Sequence, residues 1–216
     1  MARRKPVTDP KKRDRLAREA SGRLLSAMAE HDPLTASHSI RVGDYCLALA
    51  LVMGLESELT ADLARAALLH DVGKLEITIE ILQKPELLDP EQMDTMKLHP
   101  VLGASILTAT PGLDHLVAPV LHHHERWDGR GYPTGLAGLD IPLESRLILV
   151  ADAYDAMTSN KPYGAAVSPD VALDELLRYS AKQFDPLIVA AMQSAARDGL
   201  LDEVAAQHKA PTPNPS

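Results

Sequence analysis

Between residues 122 and 135 the chain reads HHHERWDGRGYPTG, with three imidazoles, an indole and three glycines in fourteen positions. The stretch divides at Asp128: a helix end rich in imidazole precedes it, and Gly-Arg-Gly-Tyr-Pro-Thr-Gly, a loop by its composition, follows. A site would account for this crowding, and so would an exposed corner. Further imidazoles and carboxylates lie upstream and downstream. His70-Asp71 closes the apolar run ARAALL, where a polar pair is costly to bury without a partner. His38 falls on the preceding helical stretch, His99 follows EQMDTMKL, His123 and His124 precede Glu125, and Asp152 lies inside ILVADAYDAM. Any one of these is more often a satisfied core or surface group than a ligand. Together they come from at least five helical segments, and a helix bundle can bring such groups into one interior.

The elements that must position them are helices. From Lys12 to about Glu30, Leu16, Ala20, Leu24, Leu25 and Met28 recur at spacings of three and four, which predicts an amphipathic helix whose apolar stripe needs a partner. Asp32-Pro33 opens a second helix with a capping side chain and a first-turn proline, and Gly54 closes it. A third starts at Thr60. Five prolines, at 85, 90, 100, 111 and 119, cut the next hundred residues into short helices. IPLESRLILVADAYDAMTS predicts another from near Pro142. Residues 169 to 198 are again helical, interrupted near Phe184-Asp185-Pro186. The Pro-rich end APTPNPS is expected to be disordered. With no alternating strand pattern, the fold class is all-α.

Composition sets the outer limits. The 216 residues are 45% hydrophobic but only 3% aromatic, so the core is built from Ala, Leu, Val, Ile and Met. A net charge of -8 argues against general affinity for nucleic acid polymers or anionic membranes. The single Cys46, in CLALALVM, reads as a buried small hydrophobe. No apolar run approaches the roughly 18 to 20 residues that span a bilayer, and no hydrophobic segment follows the basic N-terminus, so no membrane insertion and a cytoplasmic location are expected.

The order of short motifs then resembles one family. DPLTASHSIRV at 32 to 42, ALLHDVGKL at 67 to 75, KLHPVLG at 97 to 103 and HHERWDGRGYP at 123 to 133 carry the resemblance, with VADAYDAMTS at 150 to 159, KPY at 161 to 163 and FDP at 184 to 186. Between Asp32 and Ala196 these are similar, in sequence and order, to the HD-GYP domain phosphodiesterases of the HD hydrolase superfamily. The resemblance implies a multi-helix HD-domain bundle over residues 31 to 205 with a Gly-Tyr-Pro loop; periodicity and composition add an N-terminal helical arm at 1 to 30 and a disordered tail at 206 to 216. It implies hydrolysis of cyclic di-GMP to pGpG or GMP by a hydroxide held between two divalent ions, iron first and manganese next. His38, His70, Asp71 and Asp152 would surround one ion. Asp71 would bridge to a second, completed by His99, His123 and His124. Lys74 would face the scissile phosphate beside Asp71, on a continuing helix, either holding a phosphoryl oxygen or, if burial lowers its pKa, assisting proton delivery to the leaving oxygen. Glu125 would orient a ligand histidine. Lys161, Gly131, Tyr132 and Pro133 would contact substrate, Tyr132 packing on a base or on the core.

Two positions depart from the family. A glutamate that supports a third metal in some members is Leu34 here, so two metals are expected. The second cation of the Arg-Pro-Tyr-Arg/Lys stretch is Gly164, and its loss is expected to lower affinity for an anionic ligand by roughly tenfold to a hundredfold. A broader nucleotide phosphohydrolase and a weakly active cyclic di-GMP receptor are the alternatives. The expected partners are a GGDEF-domain or sensor protein, and a second copy of the chain through the N-terminal helix.

Overall fold

The computed structural model describes residues 9–159 and 165–208. Lys161 and Gly164, singled out above, lie outside the described residues. Among those described, eleven α-helices and three short 3-10 helices account for the regular structure, and the only β-type pairing is an isolated bridge between Ser180 and Phe184. The all-α reading holds. No helix of the described residues is long and apolar enough to cross a membrane.

Helix α1 spans Pro10–His31 and α2 spans Pro33–Met53. Asp32 separates them and caps α2, accepting from the Leu34 and Thr35 amides, while Gly54 ends α2 in the left-handed region at φ 63°. Helix α3 runs Ser57–Leu69, starting three residues before the expected Thr60. The proline-punctuated region yields α4 (Ile79–Leu82), α5 (Pro90–Met96), α6 (His99–Ala109) and α7 (Val117–Leu121). After the glycine loop come α8 (Leu143–Thr158), α9 (Pro169–Arg178), α10 (Pro186–Arg197) and α11 (Leu200–Gln207). The break between α9 and α10 begins at Tyr179, earlier than Phe184, and α11 carries helix past the boundary expected at 205.

Helix α2 is the axis of the bundle. It packs against α1, α3, α8, α10 and α11, and buries Val42, Tyr45, Cys46, Ala48, Leu49 and Ala50. These neighbours cover most of its apolar surface, while Leu34, Leu47 and Leu51 stay exposed. Fully buried Leu63 and Leu69 from α3, Leu107 from α6, Leu147 and Ile148 from α8, and Met192 from α10 build the same core. Ala17, Ala20 and Met28 of α1 join that cluster, so the N-terminal stripe finds its partner within the chain. Cys46 is buried and free, as its apolar neighbours imply.

Short side chains decide how closely the site-bearing segments approach. After α3 the chain does not continue as an α-helix; it tightens into a 3-10 helix, Val72–Glu76. This turn lies flat on the start of α6. A Cβ at Gly73 would fall 1.9 Å from the His99 carbonyl oxygen and 2.5 Å from the Gly103 nitrogen, both backbone atoms that cannot swing aside. Asp71 and His99 face each other because residue 73 has no side chain.

Gly73→Ala is therefore expected to destabilise the protein by about 3 kcal/mol or more, at the upper end of overpacking effects. Gly22→Ala, in an exposed helical position where a Cβ meets nothing within 4 Å, is expected to stabilise it by about 0.5 to 1 kcal/mol. Urea denaturation of the two variants checks both signs.

Candidate metal centre

Seven side chains named from the sequence converge. His38 projects from the second turn of α2 and Asp152 from α8, with His38 Nε2 3.0 Å from Asp152 Oδ1. His70 and Asp71 stand where α3 gives way to the 3-10 turn. His99 is the first residue of α6, and His123 and His124 follow α7. Neighbouring histidine rings lie with centroids 4.1 to 5.4 Å apart. Three overlapping groups have ligand atoms within 4.8 Å of one another: His38, His70 and Asp152; His70, Asp71 and His123; His99, His123 and His124.

The second nitrogens fix what the first ones can do. His70 Nδ1 lies 2.6 Å from the Ala67 carbonyl, His99 Nδ1 2.7 Å from that of Met96, and His123 Nδ1 2.6 Å from that of Val120. In each case the acceptor is the carbonyl three residues earlier. A carbonyl only accepts, so each Nδ1 carries the hydrogen and each Nε2 turns a lone pair inward. His99 Nε2 and His123 Nε2 are 3.1 Å apart. Two lone pairs at that distance repel unless a proton or a cation lies between them. Burial pushes the His99 pKa down to about 3 and that of His123 well below its ordinary value, so a proton is a poor occupant at neutral pH. The donor set fits a divalent transition metal.

Asp71 lies between the two halves of the cluster. Its Oδ2 is 3.3 Å from His70 Nε2 and its Oδ1 is 3.3 Å from His99 Nε2, one oxygen toward each side. Burial alone would raise its pKa; the Lys74 charge, and then His70 and His99, outweigh burial and hold it well below the usual carboxylate range. Lys74 Nζ donates to Asp71 Oδ2 at 2.6 Å. The lysine faces Asp71 through 3-10 spacing, which eclipses positions three apart, and not through the continuing α-helix the sequence suggested. Burial would lower its pKa, but Asp71 raises it above the ordinary lysine value. Of the two roles the resemblance implies, the contact with Asp71 favours an ammonium ion that holds a phosphoryl oxygen over a proton donor of lowered pKa.

Two site residues escaped the sequence reading. Asp155 Oδ2 is 2.7 Å from His38 Nδ1, and Asp155 also takes a two-point contact from Arg41, Nε at 2.7 Å and Nη2 at 2.9 Å. It orients His38 as backbone carbonyls orient His70, His99 and His123. The available signal was spacing, since Asp155 is three residues after Asp152 and Arg41 three after His38, each on its ligand's helix face. Glu125 is the converse correction. It does not reach the second nitrogen of a ligand histidine. Its Oε1 accepts from the Thr134 amide at 2.7 Å and hydroxyl at 2.6 Å, and its Oε2 from the Gly135 amide at 3.0 Å. His122 belongs to this anchor, its Nδ1 3.3 Å from Thr134 Oγ1. His31, His115 and His208 make separate contacts, to the Ile77 carbonyl, Asp62 and Asp44.

A cavity of about 970 Å³ opens beside His38, Lys74 and Asp152, with Asp32, Leu34 and Arg41 among its walls. Leu34 is exposed there and offers no donor. Gly131, Tyr132 and Pro133 do not line this cavity. Tyr132 stacks on the His124 ring, with centroids 4.9 Å apart and planes inclined by 26°. Gly131 lies beneath the backbone of residues 124 to 126, where a Cβ would come within 2.5 Å of main-chain atoms.

Comparison with known proteins agrees with this geometry. A family model described as HD domain matches residues 23–188. A cyclic di-GMP phosphodiesterase response regulator from Xanthomonas campestris pv. campestris is 38% identical over 81% of this chain and 47% of its own length. A 3'3'-cGAMP-specific phosphodiesterase from Vibrio cholerae is 36% identical over 77% of this chain and 32% of its own length. The chain thus spans half or less of these two relatives. Among solved structures, an HDG“Y”P protein from Bdellovibrio bacteriovorus superposes with a TM-score of 0.63 at 22% identity, covering 76% of this chain and 52% of that one, a likeness of fold.

The cluster makes the metal-free protein sensitive to pH in two directions. Burial opposes protonation of His38, but Asp152 and Asp155 prevail and raise its pKa from 6.5 to about 9. Its contribution is complete below 6.5 and lost as pH rises through 9. His99, lowered to about 3, works oppositely: the unfolded chain takes the proton first, and stability is lost as pH falls from 6.5 toward 3. Urea midpoints measured in chelator are expected to peak near pH 6.5. A midpoint still rising toward pH 9 would contradict the His38 assignment.

Proposed function

This chain belongs to the HD domain family, in its HD-GYP group, and from that premise we propose that it hydrolyses a phosphodiester bond of cyclic di-GMP, giving pGpG, GMP or both. The observation that carries the reading is the set of inward-facing imidazole nitrogens divided by Asp71, whose two oxygens face opposite halves of the cluster. His38, His70, Asp71 and Asp152 would hold one divalent ion; Asp71, His99, His123 and His124 would hold another. Iron is the first choice and manganese the next. When bound, such a pair acidifies water and neutralises charge on the phosphodiester oxygens.

The remaining chemistry falls to the chain's own side chains. Lys74, partly exposed at the cavity wall, would grip a non-bridging phosphate oxygen as a cation. Lys161 would add a second positive contact. Arg41, already paired with Asp155, would keep the His38 orienting carboxylate ionised. The groove is large enough for a dinucleotide, and it must attract one against a net charge of -8, so the local cations would set the binding affinity. GGDEF-domain or sensor proteins are the proposed partners. The exposed face of α1 around Arg18, Gly22 and Arg23 is the proposed surface for a second copy, and the cytoplasm the proposed location.

A second reading, hydrolysis of a mixed cyclic dinucleotide, draws on the 36% identity to a 3'3'-cGAMP-specific relative. A third is a weakly active receptor. Anaerobically purified protein is expected to carry two metals per chain and to convert cyclic di-GMP faster than 3'3'-cGAMP, followed by chromatography of pGpG and GMP. Asp71→Ala should lose metal and turnover together; full turnover by that variant would overturn the proposal. Tight binding without cleavage would favour the receptor, and comparable rates on both nucleotides the broader hydrolase. Asp155→Asn is expected to weaken metal retention about 10- to 100-fold, the usual effect of removing a group that orients a ligand, as read by metal content after dialysis against chelator.

A further inference from the structure

Four of the five clustered histidines have a hydrogen-bonded second nitrogen, three with backbone carbonyls and His38 with Asp155. His124 is the exception. Among the described residues no hydrogen bond reaches its ring. The ring stands edge-on to His99 at 4.9 Å and 89°, tilted against His123 at 4.1 Å and 43°, and flat against Tyr132 at 4.9 Å and 26°. The terminal torsion of histidine is broad, so an imidazole with no partner rotates and carries its ligand nitrogen off target. Something other than a hydrogen bond must hold this one.

The loop that delivers Tyr132 is built as a rigid bracket. The chain leaves His124 through Glu125, travels around the glycines, and returns so that the Tyr132 amide donates to the His124 carbonyl at 3.3 Å. Glu125, only 1% exposed, fastens the far side through the Thr134 amide and hydroxyl and the Gly135 amide. Gly131 passes so close beneath residues 124 to 126 that no side chain fits. The Tyr132 hydroxyl has no hydrogen-bond partner among the described residues, and the tyrosine does not line the groove beside His38. What it presents to the site is a ring face.

We infer that Tyr132 is a positioning residue: its ring, fixed by the Glu125-anchored loop, replaces the missing hydrogen bond of His124 and sets the rotation of that imidazole toward the His99–His123 pair. The inference rests on the two-metal reading above and deepens it. It makes the loop a determinant chiefly of the ion that His99, His123 and His124 would share, because Tyr132 stacks on His124 and, among the described residues, makes no ring contact with His38 or His70.

The test measures metal per chain in the full-length manganese-loaded protein after dialysis against increasing chelator, together with the electron paramagnetic resonance signal of spin-coupled manganese pairs. Tyr132→Phe keeps the ring face and is expected to retain two ions and the coupled signal. Tyr132→Leu keeps apolar bulk without a flat face, and is expected to release one ion at about 10- to 100-fold lower chelator, leaving the signal of an isolated ion. Tyr132→Ala should behave as Tyr132→Leu does. Retention of both ions by Tyr132→Leu at wild-type chelator resistance would overturn the inference, as would equal loss from Tyr132→Phe. If the wild type holds two ions while every variant matches it, the positioning role alone fails. If the wild type holds none, the two-metal reading fails with it.

Discussion

Everything at this site follows from one constraint: buried imidazoles whose outer nitrogens donate to fixed acceptors must present bare lone pairs inward. Three carbonyls placed three residues upstream of His70, His99 and His123 impose it; His38 is held by Asp155 at its outer nitrogen and, without metal, keeps a proton facing Asp152 at its inner one. Facing lone pairs at 3.1 Å are unfavourable in an apolar interior, and burial removes protonation as the remedy for His99 and His123. The fold is arranged so that a cation is the best occupant. The bundle around α2 supplies the stiffness that keeps these groups from relaxing away from each other.

The same constraint explains where small residues are required. The 3-10 turn after α3 and the loop after α7 both press backbone against backbone, at Gly73 and Gly131, beside a ligand candidate in each case. A side chain at either point would move Asp71 or His124 by more than a coordination site tolerates. The glycines of the loop are thus part of the site's rigidity. Glu125, buried and fully occupied by Thr134 and Gly135, turns an otherwise flexible sequence into a fixed support.

Charge is distributed in two layers. The inner layer pairs imidazole with carboxylate, and the outer layer sets Arg41 and Lys74 against Asp155 and Asp71. Lys74 keeps its proton because Asp71 is beside it, in spite of burial. An anionic ligand entering the groove meets that ammonium at the wall nearest the cluster. Leu34, exposed in the same cavity wall, contributes no further ligand.

Helix type and order and the apolar core were legible in the chain, because 3.6-residue periodicity, proline punctuation and capping residues are local signals; the seven site candidates were visible as residue types, and it was the resemblance to a family that implied they meet. The Asp32-Pro33 start and Gly54 stop of α2 appear where those signals put them. Contacts between distant segments were not legible. Asp155 is an ordinary acid in VADAYDAM until α8 packs beside α2 and brings it to His38. Glu125 looks like a ligand's orienting partner until the glycine loop folds back to claim it. Lys74 reaches Asp71 because the helix tightens, a change set by packing on α6. What the sequence determined by itself was which groups are present and which helices carry them, and local turns supply the carbonyls that hold His70, His99 and His123; tertiary structure decided that these groups meet, and that Asp155, 117 positions from His38, holds the outer nitrogen of that ring, because packing of α8 on α2 is not a local signal.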